Sequence, residues 1–388
     1  MTDASLDCVP FLSSKRDSEL LKNRFRGATC VRVRLNDLES GYPVPKRPLW
    51  IDTALDGYPD FFSKSDWAEW AASLPGHESL VEGRLTASVA DELVEAVCGS
   101  AAEYDPKWLT IPQLPQSSDK SNLAINRVLA KAYGKWLRKS GFAGVSVLPI
   151  VFTHASQTTK KGSWGPRMKA ALTRYRAAGA SGVWIVDATM DDQAGTKSFE
   201  TQRFPALIDI HEYAAQSFPG LAAHVAGPYW GLNLVLWARG IISHPAVSLS
   251  GVPQYRRPGA HLRPSSTRIA LPPLRKLVVL DQKKLGAWLR RAIKTLGPDH
   301  PGSVAFTDIL DAIRDGTLIA TAPSRVADFY ESWIRLIRSR APEARSVALY
   351  QDLSEAFVTG KFLDDIPGQT GRSRIAFLPA QQLMLHCM

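Results

Sequence analysis

The sequence predicts an α/β protein, a (β/α)8 TIM-like barrel followed by a helical C-terminal domain. Three observations carry this expectation. Short β-branched or aromatic apolar runs alternate with longer helical patterns, the signature of βα units around a parallel sheet. The connections SGFAGV, AAGASGV and PGLAAHV each place glycine after a helix and just before a strand, as an αβ turn requires. Beyond about Arg275 the short runs give way to helical periodicity.

In chain order the candidate strands are Cys8 to Leu12, Cys30 to Leu35, Leu49 to Thr53, Trp108 to Pro112, Val145 to Thr153, Val183 to Thr189, Ala222 to Ala226 and Ala246 to Leu249. Eight strands suit a closed barrel. Helical segments are expected at Asp66 to Leu74, Thr86 to Ala101, Lys120 to Ser140, Pro166 to Ala178, Phe199 to Phe218 and Gly231 to Arg239. Only LNDLESGYPVPKRP separates the second and third strands, so the first elements either open the barrel or form an antiparallel cap. PQYRRPGAHLRPSSTRIALPPLRK is rich in Pro, Ser and Arg and reads as an ordered surface loop or linker. KKLGAWLRRAIKTL, FTDILDAIRDG, SRVADFYESWIRLIRSR and SVALYQDLSEAFVTG then read as helices. The expected division is a barrel over 1–275 and a helical domain over 276–388.

Composition narrows the function classes. The 388 residues are 45% hydrophobic and 22% charged, which excludes disordered and fibrous chains. Lys and Arg number 47 against 37 for Asp and Glu, a net charge of +10 that favours polyanionic partners. The eleven tryptophans supply flat surface for the core or for stacking. Cys8, Cys30, Cys98 and Cys387 are scattered, with no CxxC and no Cys/His cluster at ligand spacing, so no metal and no cofactor are expected. MTDASLDCVPFLSSKRD has no basic segment before an apolar stretch, and no apolar window is long enough to span a bilayer. A cytoplasmic protein with reduced thiols and no membrane partner is expected.

In such a barrel the active site lies at the carboxyl ends of the strands. The polar residues there are Asp52 after the third strand, Gln113 and Gln116 after the fourth, His154 after the fifth, Asp187 after the sixth, and Tyr229, Trp230 and Asn233 after the seventh. Asp52 and Asp187 sit inside apolar strands, where a carboxylate is costly unless it faces a polar pocket or finds partners. Each is therefore either a chemical group or a structural acceptor. His154 suits a general acid, a ligand or a structural histidine. Tyr229 and Trp230 suit stacking or a plug at the rim. No GxGxxG or P-loop occurs. Lys160, Lys161 and Arg167 after the fifth strand, and Arg256, Arg257, Arg263 and Arg268 after the eighth, are candidate phosphate contacts.

WIDTALDGY, with Asp52, and AGPYWGLNLVLWARGI, a glycine-led strand followed by a helix ending in Ala-Arg-Gly, together resemble the tRNA-guanine transglycosylase superfamily over roughly residues 45–260. VDATMDD stands where that family carries a glycine motif, HPAVSLSG has no aspartate at the usual nucleophile position, and the zinc cysteines are missing. Removal of a base is therefore expected in place of its exchange. Among the branches, the chain is similar to bacterial phage-defence DNA glycosylases that excise hypermodified bases. The resemblance implies cleavage of the N-glycosidic bond of a modified, for instance glucosylated hydroxymethyl, cytosine in phage DNA. It implies Asp52 as the first acid and Asp187 as the second, with Gln113, Gln116, His154, Tyr229, Trp230 and Asn233 around a flipped base. A tRNA or DNA base transglycosylase, a hydrolase or lyase of a small phosphorylated sugar, and a non-catalytic nucleic-acid-binding component are the alternatives.

Overall fold

The computed structural model describes residues 5–58, 65–116, 120–158, 161–189, 203–229, 231–249, 255, 267–279, 282–364 and 383–387. The expected closed barrel is present. Its strands are β1 (Val9–Phe11), β2 (Val31–Arg34), β3 (Leu49–Asp52), β4 (Trp108–Thr110), β5 (Val145–Phe152), β6 (Gly182–Asp187), β7 (Ala223–Ala226) and β8 (His244–Ser248). They pair in sequence order, all parallel, and β8 returns to β1 with Val9 opposite Ala246. The antiparallel cap considered for the first elements does not form: Phe11 pairs with Arg32, and Val31 with Leu49, in parallel register.

Around the strands lie α1 (Lys15–Leu21), α2 (Leu35–Glu39), α3 (Ser65–Ser73), α4 (His77–Val81), α5 (Ala87–Ala102), α6 (Lys120–Ser140), α7 (Lys161–Ala177), α8 (Phe204–Ser217) and α9 (Leu232–Ala238). The short α2 is the crossover between β2 and β3 that the sequence had not disclosed. α7 begins five residues before the expected start and carries Pro166 as its sixth residue, where proline gives up one intrahelical hydrogen bond.

The segment read as a linker contains an antiparallel hairpin, β9 (Arg268–Leu271) with β10 (Lys276–Val279). Arg275, at φ +48°, makes its turn. Four helices follow: α10 (Gln282–Leu296), α11 (Pro301–Arg314), α12 (Leu318–Arg338) and α13 (Arg345–Asp364). The hairpin, α10 and α11 bury a small core of their own around Ile269, Leu271, Leu289 and Phe306. By contrast, Val326, Phe329, Trp333 and Leu353 belong to the barrel's core.

α12 lies alongside α1 and runs in the same direction. Arg16 donates to Ala320 O at one end, Arg24 Nε meets Asp328 Oδ1 at 2.6 Å midway, and Arg338 Nε reaches Asp7 Oδ2 at 2.8 Å at the other. α12 thus takes the place of the eighth outer helix, although about seventy residues separate it from β8.

Candidate active site at the barrel mouth

Strand alternation sends every second side chain into the barrel. Trp50 and Trp184 touch edge to face at 5.5 Å although β3 and β6 are not neighbours, so both must point into the lumen. Phe11 closes the same group, 5.5 Å from Trp50 and 5.6 Å from Trp184. Trp108, 5.7 Å from Trp50, and His244, 5.0 Å from Trp108, extend the packing. The indole N–H groups are satisfied: Trp50 donates to Thr110 Oγ1 at 2.8 Å and Trp184 to Gly227 O at 2.7 Å.

On this aromatic floor stands a charged cluster. In VRVR of β2, Val31 and Val33 face the helices while Arg32 and Arg34 take the inward parity. The Arg32 guanidinium lies 4.5 Å from the Phe11 ring centroid, 4.9 Å from Trp184 and 5.5 Å from Tyr255. It makes a charged hydrogen bond to Asp52 Oδ2, and the other carboxylate oxygen accepts the Ala54 N–H at 3.0 Å. Asp52 shares the inward parity of Trp50 two residues earlier. Both partners of the ion pair are 1% exposed. Asp37 of α2 is buried beside them. Burial pushes its carboxyl above the usual range, while the Arg34 and Arg32 charges pull it back. Tyr255 covers the cluster, its N–H donating to Pro228 O at 3.1 Å and its ring edge-on to Trp184 at 5.0 Å.

Asp187 occupies a different place. Three residues beyond Trp184 it takes the outward parity, toward the helices. It accepts hydrogen bonds from Thr158 Oγ1 at 2.9 Å, Thr189 N at 2.8 Å and Thr189 Oγ1 at 2.7 Å, and Arg203, the N-cap of α8, pairs with it. The Tyr229 hydroxyl accepts the Asp187 N–H at 3.1 Å, and burial followed by the Asp187 charge pushes that phenol up. Asp52 and Asp187 therefore have separate arginines and no common partner among the described residues.

The amides hold the rim. Ile111 N donates to Val147 O, and Gln116 N to Val151 O, so five residues after β4 span four of β5. Pro112 and Pro115 have no N–H to give, and the extra residue forms a bulge. The skipped carbonyl, Pro149 O, accepts the Gln113 side chain at 2.7 Å. Asn126 of α6 clasps the bulge, accepting from Leu114 N at 2.8 Å and donating to Leu114 O at 3.1 Å. Gln157 secures the next loop, accepting from Thr153 N and His154 N and donating to Gln116 O. Asn233 of α9 ties that helix to β8 through Ala246 O at 2.6 Å. The side-chain oxygens of Gln113 and Asn233 are buried without a hydrogen-bond partner among the described residues.

The remaining candidates are dispersed. His154 is exposed, and Arg167 of α7 is half-buried. Arg268 opens β9, where its charge bears on Tyr330 of α12. Lys161 is the first residue of α7, but its side chain lies outside the described residues, as do Lys160, Trp230, Arg256, Arg257 and Arg263. The sequence reading missed Arg32, Arg34, Asp37, Thr158 and Arg203. For the first two a signal existed: period-two alternation of valine and arginine in a barrel strand forces the arginines inward.

Among the described residues no helix is long and apolar enough to cross a membrane, and no group of three or more His, Cys, Asp or Glu side chains could hold a metal ion. Compared with models of known protein families and with curated protein sequences, the chain matches none.

Proposed function

We propose that this protein is a DNA glycosylase that hydrolyses the N-glycosidic bond of a modified base, such as glucosylated hydroxymethylcytosine in phage DNA, and leaves an abasic site. One observation supports it most: the Asp52 carboxylate stands at the carboxyl end of an inward-facing strand position on an aromatic floor. An oxocarbenium-like sugar needs such an anion beside it, and a flipped base needs aromatic walls. In the reaction, a water oxygen bonds to C1′ and the C1′–N bond breaks. One water proton passes to the departing base, and the Asp52 anion offsets the positive charge on the sugar. Arg32 neutralises Asp52 and the Tyr255 ring lies 5.5 Å from the guanidinium, so this reading requires the pair to part before Asp52 faces a sugar.

A second reading, a barrel hydrolase or lyase acting on a small phosphorylated sugar, draws on Arg32 and Arg34, two inward guanidinium groups on one strand. The test is to incubate the protein with unmodified and with glucosylated-cytosine phage DNA and to count alkali-labile sites. Breaks on modified DNA that fall about 10²- to 10⁴-fold in Asp52→Asn, with near-UV circular dichroism retained, support the glycosylase. No breaks on either DNA with the wild-type protein overturn it. Duplex binding that is indifferent to Asp52 would then point to a non-catalytic binding component.

A further inference from the structure

We propose that α10 is a docking surface for the phosphate backbone of duplex nucleic acid. Its sequence, QKKLGAWLRRAIKTL, holds five basic residues and no acidic one. At about 100° per residue, Lys283, Arg290 and Lys294 fall within an arc of about 40°, with Lys284 and Arg291 about 60–80° to one side of it. All five are exposed. Leu285, Trp288, Leu289 and Ala292, on the opposite side, are buried in the small core, where Trp288 meets Phe306 edge to face at 5.4 Å.

Charge complementarity selects the occupant. Lys283, Arg290 and Lys294 make no ion pair among the described residues. The acids of the adjoining α11 are committed elsewhere, Asp308 to Arg325 and Asp311 to Arg314. The row from Lys283 to Lys294 is roughly 16 Å long at 1.5 Å per residue. A duplex presents one phosphate charge for about every 1.7 Å of its axis, so an unbroken line of anions is available along the whole row. An anionic lipid surface fits less well. A surface-lying helix must insert its apolar side, and that side is already occupied by the core around Phe306.

The surface is independent of the chemistry at Asp52, because binding is read without turnover. The experiment measures anisotropy of a labelled random-sequence duplex across a salt series. It compares the wild type with K283Q/R290Q/K294Q and with K131Q/R138Q/K169Q, which removes equal charge from exposed positions on α6 and α7. The α10 variant is expected to lose at least about tenfold in affinity and to flatten the slope of log K against log salt by about 2 to 3, while the other retains the wild-type slope. Equal losses in the two variants would reduce the effect to net charge and overturn the proposal. So would wild-type binding to phosphatidylserine vesicles but not to the duplex.

Discussion

Arg32 and Asp52 form a sealed ion pair across two neighbouring strands of the barrel, both side chains 1% exposed, with Phe11, Trp184 and Tyr255 around the guanidinium. A pair so enclosed is held as a unit. Removing one partner strands the other charge in an apolar setting.

Arg32→Met is therefore expected to destabilise the protein by about 3–5 kcal/mol. The double substitution R32M/D52L should recover most of that loss, since it removes both charges. Urea denaturation of the three proteins checks this; additive losses in the double variant would show that the two residues do not act together.

Asn126 satisfies both backbone groups of Leu114 at the bulge after β4. Asn126→Ala leaves a buried N–H and a buried carbonyl without their partner, a cost of about 1–3 kcal/mol for each group. Thermal melting measures the loss, and amide hydrogen exchange at Leu114 should rise selectively.

Gly231, at φ +135°, leads into α9 with no room for a side chain: a Cβ there would lie 2.5 Å from Leu383 Cδ1 and 3.3 Å from Trp333. Gly231→Ala should cost about 1–3 kcal/mol through backbone strain alone and push the C-terminal turn off the barrel. Faster proteolytic removal of the residues around Leu383 reports the displacement.

Three histidines make the fold acid-sensitive. His211 and His224 stack between α8 and β7, with their rings hydrogen-bonded at 3.0 Å, and His244 packs on Trp108. Burial lowers His224 and His244 to about 4, and holds His211 well below its ordinary value with the neighbouring His224 adding to the effect. The folded state thus binds fewer protons than the unfolded chain, whose histidines titrate near 6.5. Their contribution to stability is complete above about 6.5 and declines as pH falls through that value, and that of His224 and His244 is exhausted near 4. Chemical denaturation at pH 7.5 and 5 should show a drop of about 2 kcal/mol from His224 alone. His224→Gln should lessen that drop, and an unchanged pH dependence would contradict the assignment.

The barrel was legible because burial repeats along a strand and along a helix with periods that short stretches reveal. Asp52 was legible too, as an acid inside an apolar run. Its partner was harder to see, since the pairing joins residues twenty positions apart. Asp187 looked equivalent to Asp52 in sequence, and only the parity set by Trp184 separates them. Gln113 and Asn233 read as groups lining a pocket. The structure spends their amide N–H groups on Pro149 and Ala246, because a proline-rich bulge and a short helix leave those carbonyls open.

Local pattern and composition were enough for the eight barrel strands, their order and the positive charge, but not for α2 or the β9–β10 hairpin. Tertiary structure alone decided that Arg32 neutralises Asp52, that Arg203 and Thr158 hold Asp187 on the outer side, and that α12 stands in for the eighth helix. Each of these rests on contacts between segments apart in the chain, with side-chain direction set by strand pairing, tilt and register.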